Sequence, residues 1–483
     1  MKNSKLIQLL KTFSGEEIND FEKFLKSPLS NSRNYVIKFF QELKKHYPEF
    51  KENNIDKKEI FLKIYKDKEY NDSTVRSIVS SLITDAEHYL SYANFRSNKA
   101  IADYHLLSEL SSRGLHNYLD VKAKPVMKRL KENKQFDFHD IIYDYLNSLK
   151  VVEHYFIKER FEDAIELVNL MNNNLLALFT ANTSTVIQYN YIIRSFFPYA
   201  TANYLENIFF PNLNYEGIIS SLGNDNSYKA EFIKLNFYIY ALLVKNNSHE
   251  SYEKVKEIWL NSRDFLTVPS RKAVFDVLGN FCLLQSREKN TKYIREFFEL
   301  SKVMLRDNLF LIRSNVMHIN TFRQITLHSF ALNEIEWCEE FVREYSKYLA
   351  EEEKEMLVDL AMAEISLRKK NFQNALTHLS NIKDLKSYLK LELREIYIRV
   401  YYELGHTEEL YYCFDSFRHY LNNAPFLPDY ILSAKNFLRY VSAILNHKIK
   451  NNSDINNLRR EISEEPYVHF KKWLLEKADE LFS

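Results

Sequence analysis

A histidine beside a carboxylate is the combination in this chain with the most useful chemistry, because such a pair performs general acid–base catalysis. The chain has 14 histidines, most of them isolated from one another. Several adjoin an acid in the sequence, as in Glu87-His88, His139-Asp140 and Glu153-His154. Neighbouring residues on a helix point about 100° apart, so none of these pairs forms a site by itself. We therefore expect these histidines to be surface or packing residues.

Metal and cofactor sites are not predicted either. The three cysteines, Cys282, Cys338 and Cys413, are far apart and form no CxxC pair, which excludes the usual zinc and disulfide patterns. Glu351–Glu353 stand at a predicted helix start, where acids complement the helix dipole, so a solvated first turn is favoured over a metal site. The chain contains no Walker loop, GxGxxG, nucleophile elbow, HExxH or EF-hand pattern. We predict no catalytic residue, metal or cofactor.

Tyrosines are the residues that most suggest a binding surface. Tyr388, Tyr397, Tyr402 and Tyr411 are candidates for the lining of a groove that binds a protein or peptide. Tyrosine is favoured at recognition surfaces because it offers a large contact area with few rotatable bonds. The alternative, which we favour, is that aromatic residues such as Tyr401 fill the core between helices.

The scarcity of glycine and proline shows which elements must position these residues. Among 483 residues only 6 are Gly and 9 are Pro, whereas 35 are Phe and 33 are Tyr. An average chain of this length would carry roughly 34 Gly. Because glycine supplies the positive-φ positions of hairpins, bulges and phosphate-binding loops, its shortage argues against sheet folds and nucleotide-binding folds. The sequence predicts an all-α protein.

Charge and hydropathy exclude further classes. The formal net charge is +1, and the first 95 residues are also nearly balanced, so a nucleic-acid partner is not expected. No signal peptide and no stretch of about 20 apolar residues is present, which predicts a cytoplasmic protein without a membrane partner. Nothing in the sequence indicates or excludes a small-molecule ligand.

Residues 1–95 are predicted to form an N-terminal helical domain. Ser14-Gly15-Glu16-Glu17 is typical of a capping box, in which the Ser14 and Glu17 side chains each accept a hydrogen bond from the other residue's backbone amide. A later segment, opened by Ser73, has an apolar stripe at helical spacing, formed by Val75, Ile78, Val79, Leu82, Ile83, Ala86 and Leu90. Such a stripe predicts a helix buried along one face.

From residue 96 to 429 the pattern indicates helix pairs joined by short turns. Trp337, Phe372 and Thr407 are spaced 35 residues apart, and the segment from Ala363 to Leu379 resembles a tetratricopeptide (TPR) unit. We predict a TPR-like α-solenoid, with generic helical packing as the alternative. Two segments interrupt this pattern of helix pairs. We predict a loop or bend at residues 177–227 and the end of a unit at residues 422–429. Residues 430–483 are predicted to cap the stack, the last helix starting at Pro466.

Three segments carry a resemblance to a known family: Phe13–Ser32, Lys57–Leu82 and Val400–Leu421. They resemble signatures of an uncharacterised family of all-helical proteins common in Bacteroidota, and they occur in the expected order over nearly the whole chain. The resemblance implies a bacterial cytoplasmic protein. It implies no activity, ligand or catalytic residue.

Three functions remain to be compared. The first is a non-catalytic scaffold that binds a protein or peptide on the concave solenoid face. The second is a regulator whose N-terminal helices bind DNA while the repeats sense a partner, and it requires one basic face formed by Lys57, Lys58, Lys63, Lys66 and Arg76. The third, an enzyme, requires histidines and carboxylates from different helix pairs to converge in a cleft. We expect the scaffold.

Overall fold

The computed structural model describes residues 4–30, 32–50, 55–65, 68–132, 135, 137–196, 208–209, 212–223, 225–245, 249–287, 291–311, 316–382, 389–422, 428–450 and 455–481. Within these ranges the protein is all-helical and has no strand, which confirms the predicted fold class. The contacts of the described residues define two compact units, one within residues 4–284 and the other within residues 285–311 and 316–481. The predicted division at residues 95 and 429 stays a prediction.

The first five helices share one apolar core. They are α1 (Lys5–Lys11), α2 (Gly15–Lys26), α3 (Asn34–Lys44), α4 (Lys57–Ile64) and α5 (Asp72–Ser97). The capping box is confirmed: the Ser14 hydroxyl accepts a bond from the Glu17 amide at 3.1 Å, and the Glu17 carboxylate accepts one from the Ser14 amide at 2.7 Å. The core, called here the N-terminal core, comprises the buried apolar residues from Leu6 to Tyr89.

The rest of the first unit contains longer helices. These are α6 (Lys99–Ser112), α7 (His116–Glu132), α8 (Phe138–Ile157), α9 (Phe161–Phe196), α10 (Tyr215–Leu222), α11 (Tyr228–Tyr240), a π-helical turn (Ala241–Lys245), α12 (His249–Leu260), a 3-10 turn (Ser262–Asp264) and α13 (Val268–Arg287), whose end belongs to the second unit. The first part of the predicted interruption at 177–227 is helical, since α9 continues to Phe196. Residues 197–207 lie outside the described residues.

The second unit continues with helix pairs. Its helices are α14 (Thr291–Arg306), α15 (Ile319–Ala331), α16 (Ile335–Tyr345) followed by a 3-10 turn (Ser346–Tyr348), α17 (Glu351–Arg368), α18 (Phe372–Asn381), α19 (Leu389–Leu404), α20 (Thr407–Asn422), α21 (Pro428–Lys450), α22 (Ile455–Glu464) and α23 (Lys471–Asp479). Phe372 and Thr407 begin helices as predicted, whereas Trp337 lies inside α16. The prediction that Pro466 begins the last helix is wrong, because the helix begins only after Phe470, which has left-handed backbone angles.

Turns within helix pairs share one geometry. The turn residue has a positive φ at Gly114, Glu159, Asn333, Lys370 and Gly405. The following amide donates to a carbonyl five residues earlier, as from Asn371 to Ser366 at 2.9 Å and from His406 to Tyr401 at 3.0 Å. This is a Schellman motif, which satisfies the free carbonyls at a helix end. Because Glu, Asn and Lys take this position as well as Gly, a glycine-poor chain still makes tight turns.

Candidate functional site

A cavity of about 240 Å³ lies in the second unit. We call it the α17 cavity, because α17 lies between the other two helices that line it, α15 and α19; the segment before α23 completes the lining. Its walls are mainly apolar and include Phe322, Leu327, Leu357, Leu360, Ile396 and Phe470. An enclosed apolar pocket with a few polar groups is the usual form of a binding site.

Three buried charges lie at the α17 cavity: Glu364 on α17, and Glu395 and Arg399 on α19. The Arg399 guanidinium donates two bonds to the Glu364 carboxylate, at 3.0 and 2.5 Å, and Arg368 Nε donates a third at 2.8 Å. Glu364 and Arg399 are only 5% and 3% exposed. Burial alone raises the pKa of Glu364, but the two arginines outweigh it and lower that pKa to about 2. The carboxylate is therefore charged and fully engaged.

A second ion pair at the cavity joins Arg323 on α15 to Glu392 on α19. Burial raises the pKa of Glu392, and the nearby carboxylates of Glu395 and Glu364 act in the same direction, while Arg323 opposes them. The two ion pairs therefore connect α15, α17 and α19 by electrostatic contacts within one cavity.

Phe470 forms a wall of the cavity in an unusual conformation. Its φ of 52° and ψ of 36° are left-handed, a conformation that costs a bulky residue of the order of 1–3 kcal/mol. The Arg399 guanidinium carbon lies 3.8 Å from the centre of the Phe470 ring, a cation–π contact. The preceding His469 is bonded to Glu395, with 2.5 Å between Nδ1 and Oε1. These contacts hold the segment before α23 against α19.

A second cavity, of about 380 Å³, shares Arg368, Arg399 and Phe470 with the first. It is more polar, and the Lys477 ammonium there lies 2.9 Å from Glu403 and 2.6 Å from Glu480. Burial lowers the pKa of Lys477, but the hydrogen bonds to these carboxylates outweigh it and raise the pKa overall. The phenyl ring and guanidinium thus separate an apolar space from a polar one.

The first unit has a larger depression of about 780 Å³, which we do not take as the site. Asn94, Lys99 and Lys128 on it are exposed. Its Arg129 donates to Asp144 at 2.8 Å. Exposed polar residues give this depression the character of ordinary surface, whereas the α17 cavity combines apolar walls with buried charges.

The four tyrosines of the predicted groove do not share one environment. Tyr388 lies outside the described residues. Tyr397 is half-buried and donates its hydroxyl to the Leu379 carbonyl at 3.0 Å, Tyr402 is buried, and Tyr411 is 42% exposed. Of the three described tyrosines, none lines the α17 cavity. Their role in a groove stays a prediction.

Sequence reasoning did not identify the charged residues of the cavity. A signal was present on α19, where Glu392, Glu395 and Arg399 follow each other at helical spacing and so share one face. Glu364 and Arg368 have the same relation on α17. Charges on the face that should pack against a neighbouring helix indicate a buried ionic network.

Histidine–carboxylate pairs do occur, but between residues distant in sequence. His154 Nε2 lies 2.8 Å from Asp120 Oδ1 on α7, rather than pairing with its neighbour Glu153, and His378 Nδ1 lies 2.7 Å from Asp359 Oδ1. His154 is almost completely buried. A histidine and a carboxylate from different helices therefore do meet, in pairs, as an enzyme would require. The expectation that the protein is not an enzyme stays a prediction.

Basic residues of the N-terminal helices lie close to acids. Arg76 and Lys57 are 2.7 and 3.8 Å from the Asp72 carboxylate, and Lys63 is 3.8 Å from a glutamate. Lys66 lies outside the described residues. Pairing of this kind lowers the local positive potential available to phosphates. The DNA-binding regulator stays an alternative hypothesis, and the absence of a nucleic-acid partner stays a prediction.

Within the described ranges no cluster of three or more His, Cys, Asp or Glu side chains is arranged to hold a metal ion. No helix there is long and apolar enough to cross a membrane. Cys338 is buried, which raises the pKa of its thiol to about 12. Comparison of the chain with protein-family models, curated proteins and solved structures found no match.

Proposed function

We propose that the protein is a non-catalytic interaction scaffold, in which a TPR-like α-solenoid binds a protein or peptide partner on its concave face. In this proposal the N-terminal helices form a separate domain and α21–α23 cap the repeats. The proposal places the protein in the bacterial cytoplasm and in the Bacteroidota family that its sequence resembles.

The α17 cavity supports this proposal most directly. Its lining helices α15, α17 and α19 are the first members of three consecutive pairs, α15–α16, α17–α18 and α19–α20. When helix pairs stack, their first helices lie side by side and create an extended surface. A cavity on that surface is positioned to receive part of a bound polypeptide.

The electrostatics of Glu364 favour a structural role over a catalytic one. A catalytic acid or base must exchange a proton near neutral pH. Glu364 instead has a pKa held at about 2 by Arg399 and Arg368, and its two oxygens are engaged by those arginines. A carboxylate in this state maintains the shape and charge balance of a site and does not transfer protons.

Selection from a displayed random-peptide library tests the proposal with the full-length chain. We expect enrichment of peptides that bind the wild-type protein and are lost when Ala361, a wall of the α17 cavity, is replaced in Ala361→Phe. Thr377→Leu, an exposed position on the neighbouring helix α18, is the matched control and should retain binding. Failure to enrich any peptide, or retention of binding by folded Ala361→Phe, contradicts the proposed function.

A further inference from the structure

The chemistry of the α17 cavity defines what part of a partner it takes. We propose that it binds one uncharged apolar side chain, a single aromatic ring or a branched aliphatic group, presented by a partner polypeptide. This inference rests on the proposed scaffold function and adds the identity of the group recognised.

The size of the cavity sets the first limit. Drug-sized ligands and cofactors occupy pockets of roughly 300–1,000 Å³, whereas a cavity of about 150 Å³ lined by Leu, Ile and Phe already binds benzene. At about 240 Å³ the α17 cavity lies between them. It therefore accommodates one large side chain and is too small for a nucleotide.

The charges set the second limit, because they already neutralise one another. Glu364 is engaged by Arg399 and Arg368, and Arg323 pairs with Glu392. A charged ligand would have to break one of these pairs and leave the other member in a buried environment, which is costly. An apolar group leaves the pairs intact and removes only apolar surface from water.

The position of the mouth shows how the group enters. Ala331 is the exposed residue of the lining, and Arg323, Leu327, Arg368, Glu392 and Phe470 are half-buried. The apolar lining from α17, such as Leu357 and Leu360, is buried. The cavity therefore opens near Ala331, the last residue of α15.

This geometry favours a side chain over a free hydrocarbon. With the charges paired inside, a free molecule of this size finds few polar groups to orient it. A polypeptide instead continues beyond the mouth and gains contacts on the surface around Ala331 while its side chain fills the cavity. The anchor-in-pocket arrangement is the usual source of affinity at such interfaces.

Saturation-transfer NMR on the full-length protein tests the inference with amino-acid amides as probes. N-acetyl-phenylalanine amide and N-acetyl-leucine amide should receive severalfold more saturation than the corresponding glutamate and lysine amides. The signal should disappear in Ala361→Phe and persist in Thr377→Leu. Equal transfer to a charged amide, or an unchanged phenylalanine signal in Ala361→Phe, overturns the inference.

A second variant keeps the test decisive if Ala361→Phe does not fold. Leu327→Ala enlarges the cavity at a half-buried wall and should shift the preference from the phenylalanine amide to the tryptophan amide. An unchanged preference contradicts the inference. Toluene is the probe for a free molecule. If toluene binds at the cavity and none of the amides binds, the inference that a side chain occupies the cavity is wrong.

The two proposals fail in different ways. If apolar amides bind in the cavity but no displayed peptide is enriched, the scaffold function is wrong while the chemistry of the cavity stands. If peptides are enriched and lost in Ala361→Phe but share a charged anchor residue, the scaffold stands and the inference about an apolar group is wrong.

Discussion

The N-terminal core and the α17 cavity are built from similar amphipathic helices, yet they bury different chemistry. Among the described residues of α1–α5, Asp85 is the one charged side chain that is buried, and the Ser32 hydroxyl donates to it at 2.6 Å. The α17 cavity buries Glu364, Glu395 and Arg399 together. Replacing a buried ion pair with apolar residues is often neutral or stabilising, so such a pair is weak evidence of selection for stability. The apolar N-terminal core therefore contributes mainly to the stability of the protein, whereas stability does not explain the buried charges of the α17 cavity.

The largest expected effect comes from removing one partner of the buried network. Glu364→Ala leaves Arg399 buried without its carboxylate and should lower the free energy of unfolding by about 3–5 kcal/mol. Hydrogen–deuterium exchange of α17 and α19 in the full-length protein measures this change. Glu352→Ala, an exposed position on the same helix, is the control and should change stability little.

The double variant Glu364→Leu/Arg399→Met sharpens the comparison. We expect it to recover most of the loss seen in Glu364→Ala, because both buried charges are removed together and only the half-buried Arg368 loses an ion-pair partner. A double variant as unstable as the single one would show that the network contributes stability, as the N-terminal core does.

Acid should weaken the cavity region through Glu364. Its pKa is about 2 in the folded protein and 4.5 when unperturbed, so its stabilising contribution is complete above pH 4.5 and is lost as the pH falls toward 2. Relative to Glu364→Gln, the wild type should lose about 2 kcal/mol between about pH 6 and about pH 3. Urea unfolding followed by tryptophan fluorescence provides the measurement. A difference independent of pH would mean that this carboxyl is not the group that titrates. The pKa of Glu392 is raised in the folded protein, so its contribution to stability increases as the pH falls, and it does so in both the wild type and Glu364→Gln.

A change in the N-terminal core should behave differently. Ile78 is 1% exposed, and Ile78→Val should cost about 0.5–1.5 kcal/mol. Because no titrating group contributes, the loss should be the same at neutral and acidic pH. Hydrogen–deuterium exchange of α5 measures it, with Ile165→Val at an exposed position as the control. A strong pH dependence would break the contrast between the two regions.

The smallest effects concern two glycines and should have opposite signs. Gly405 has a φ of 72° in the turn before α20, so Gly405→Ala should destabilise the protein by about 1 kcal/mol. Gly15 is the first residue of α2, with no positive φ and no atom within 4 Å of an added Cβ, so Gly15→Ala should stabilise by about 0.5–1 kcal/mol. Thermal unfolding of both variants provides the test, and a shared sign contradicts it.

Local patterns carried enough information to predict the fold class and several helix starts. The shortage of glycine predicted helices, the Ser14–Glu17 capping box marked the start of α2, and Phe372 and Thr407 marked α18 and α20. The capping box depends on residues within a few positions of one another, whereas the glycine count is a property of the whole chain and a spacing of 35 residues relates Phe372 to Thr407. Pro466 was misleading, because the proline favours a first turn but Phe470 determines where α23 begins.

The candidate site was not predictable in the same way. It depends on Arg323, Glu364 and Arg399, which belong to three different helices. The same letters on an isolated helix are compatible with a solvated face. Only the packing of α15, α17 and α19 against one another shows that these charges are buried, and sequence spacing does not specify that packing.

The Schellman turns also constrain where the chain tolerates changes in length. At Lys370 the turn closes through a hydrogen bond from Asn371 to Ser366, and the same bond recurs at Gly405. An inserted residue would break that bond and rotate the second helix of the pair relative to the first. From Ser346 to Ala350, between the pairs α15–α16 and α17–α18, no such motif fixes the number of residues. Insertions and deletions in natural variants of this chain should therefore accumulate between helix pairs and leave the turns inside each pair at constant length.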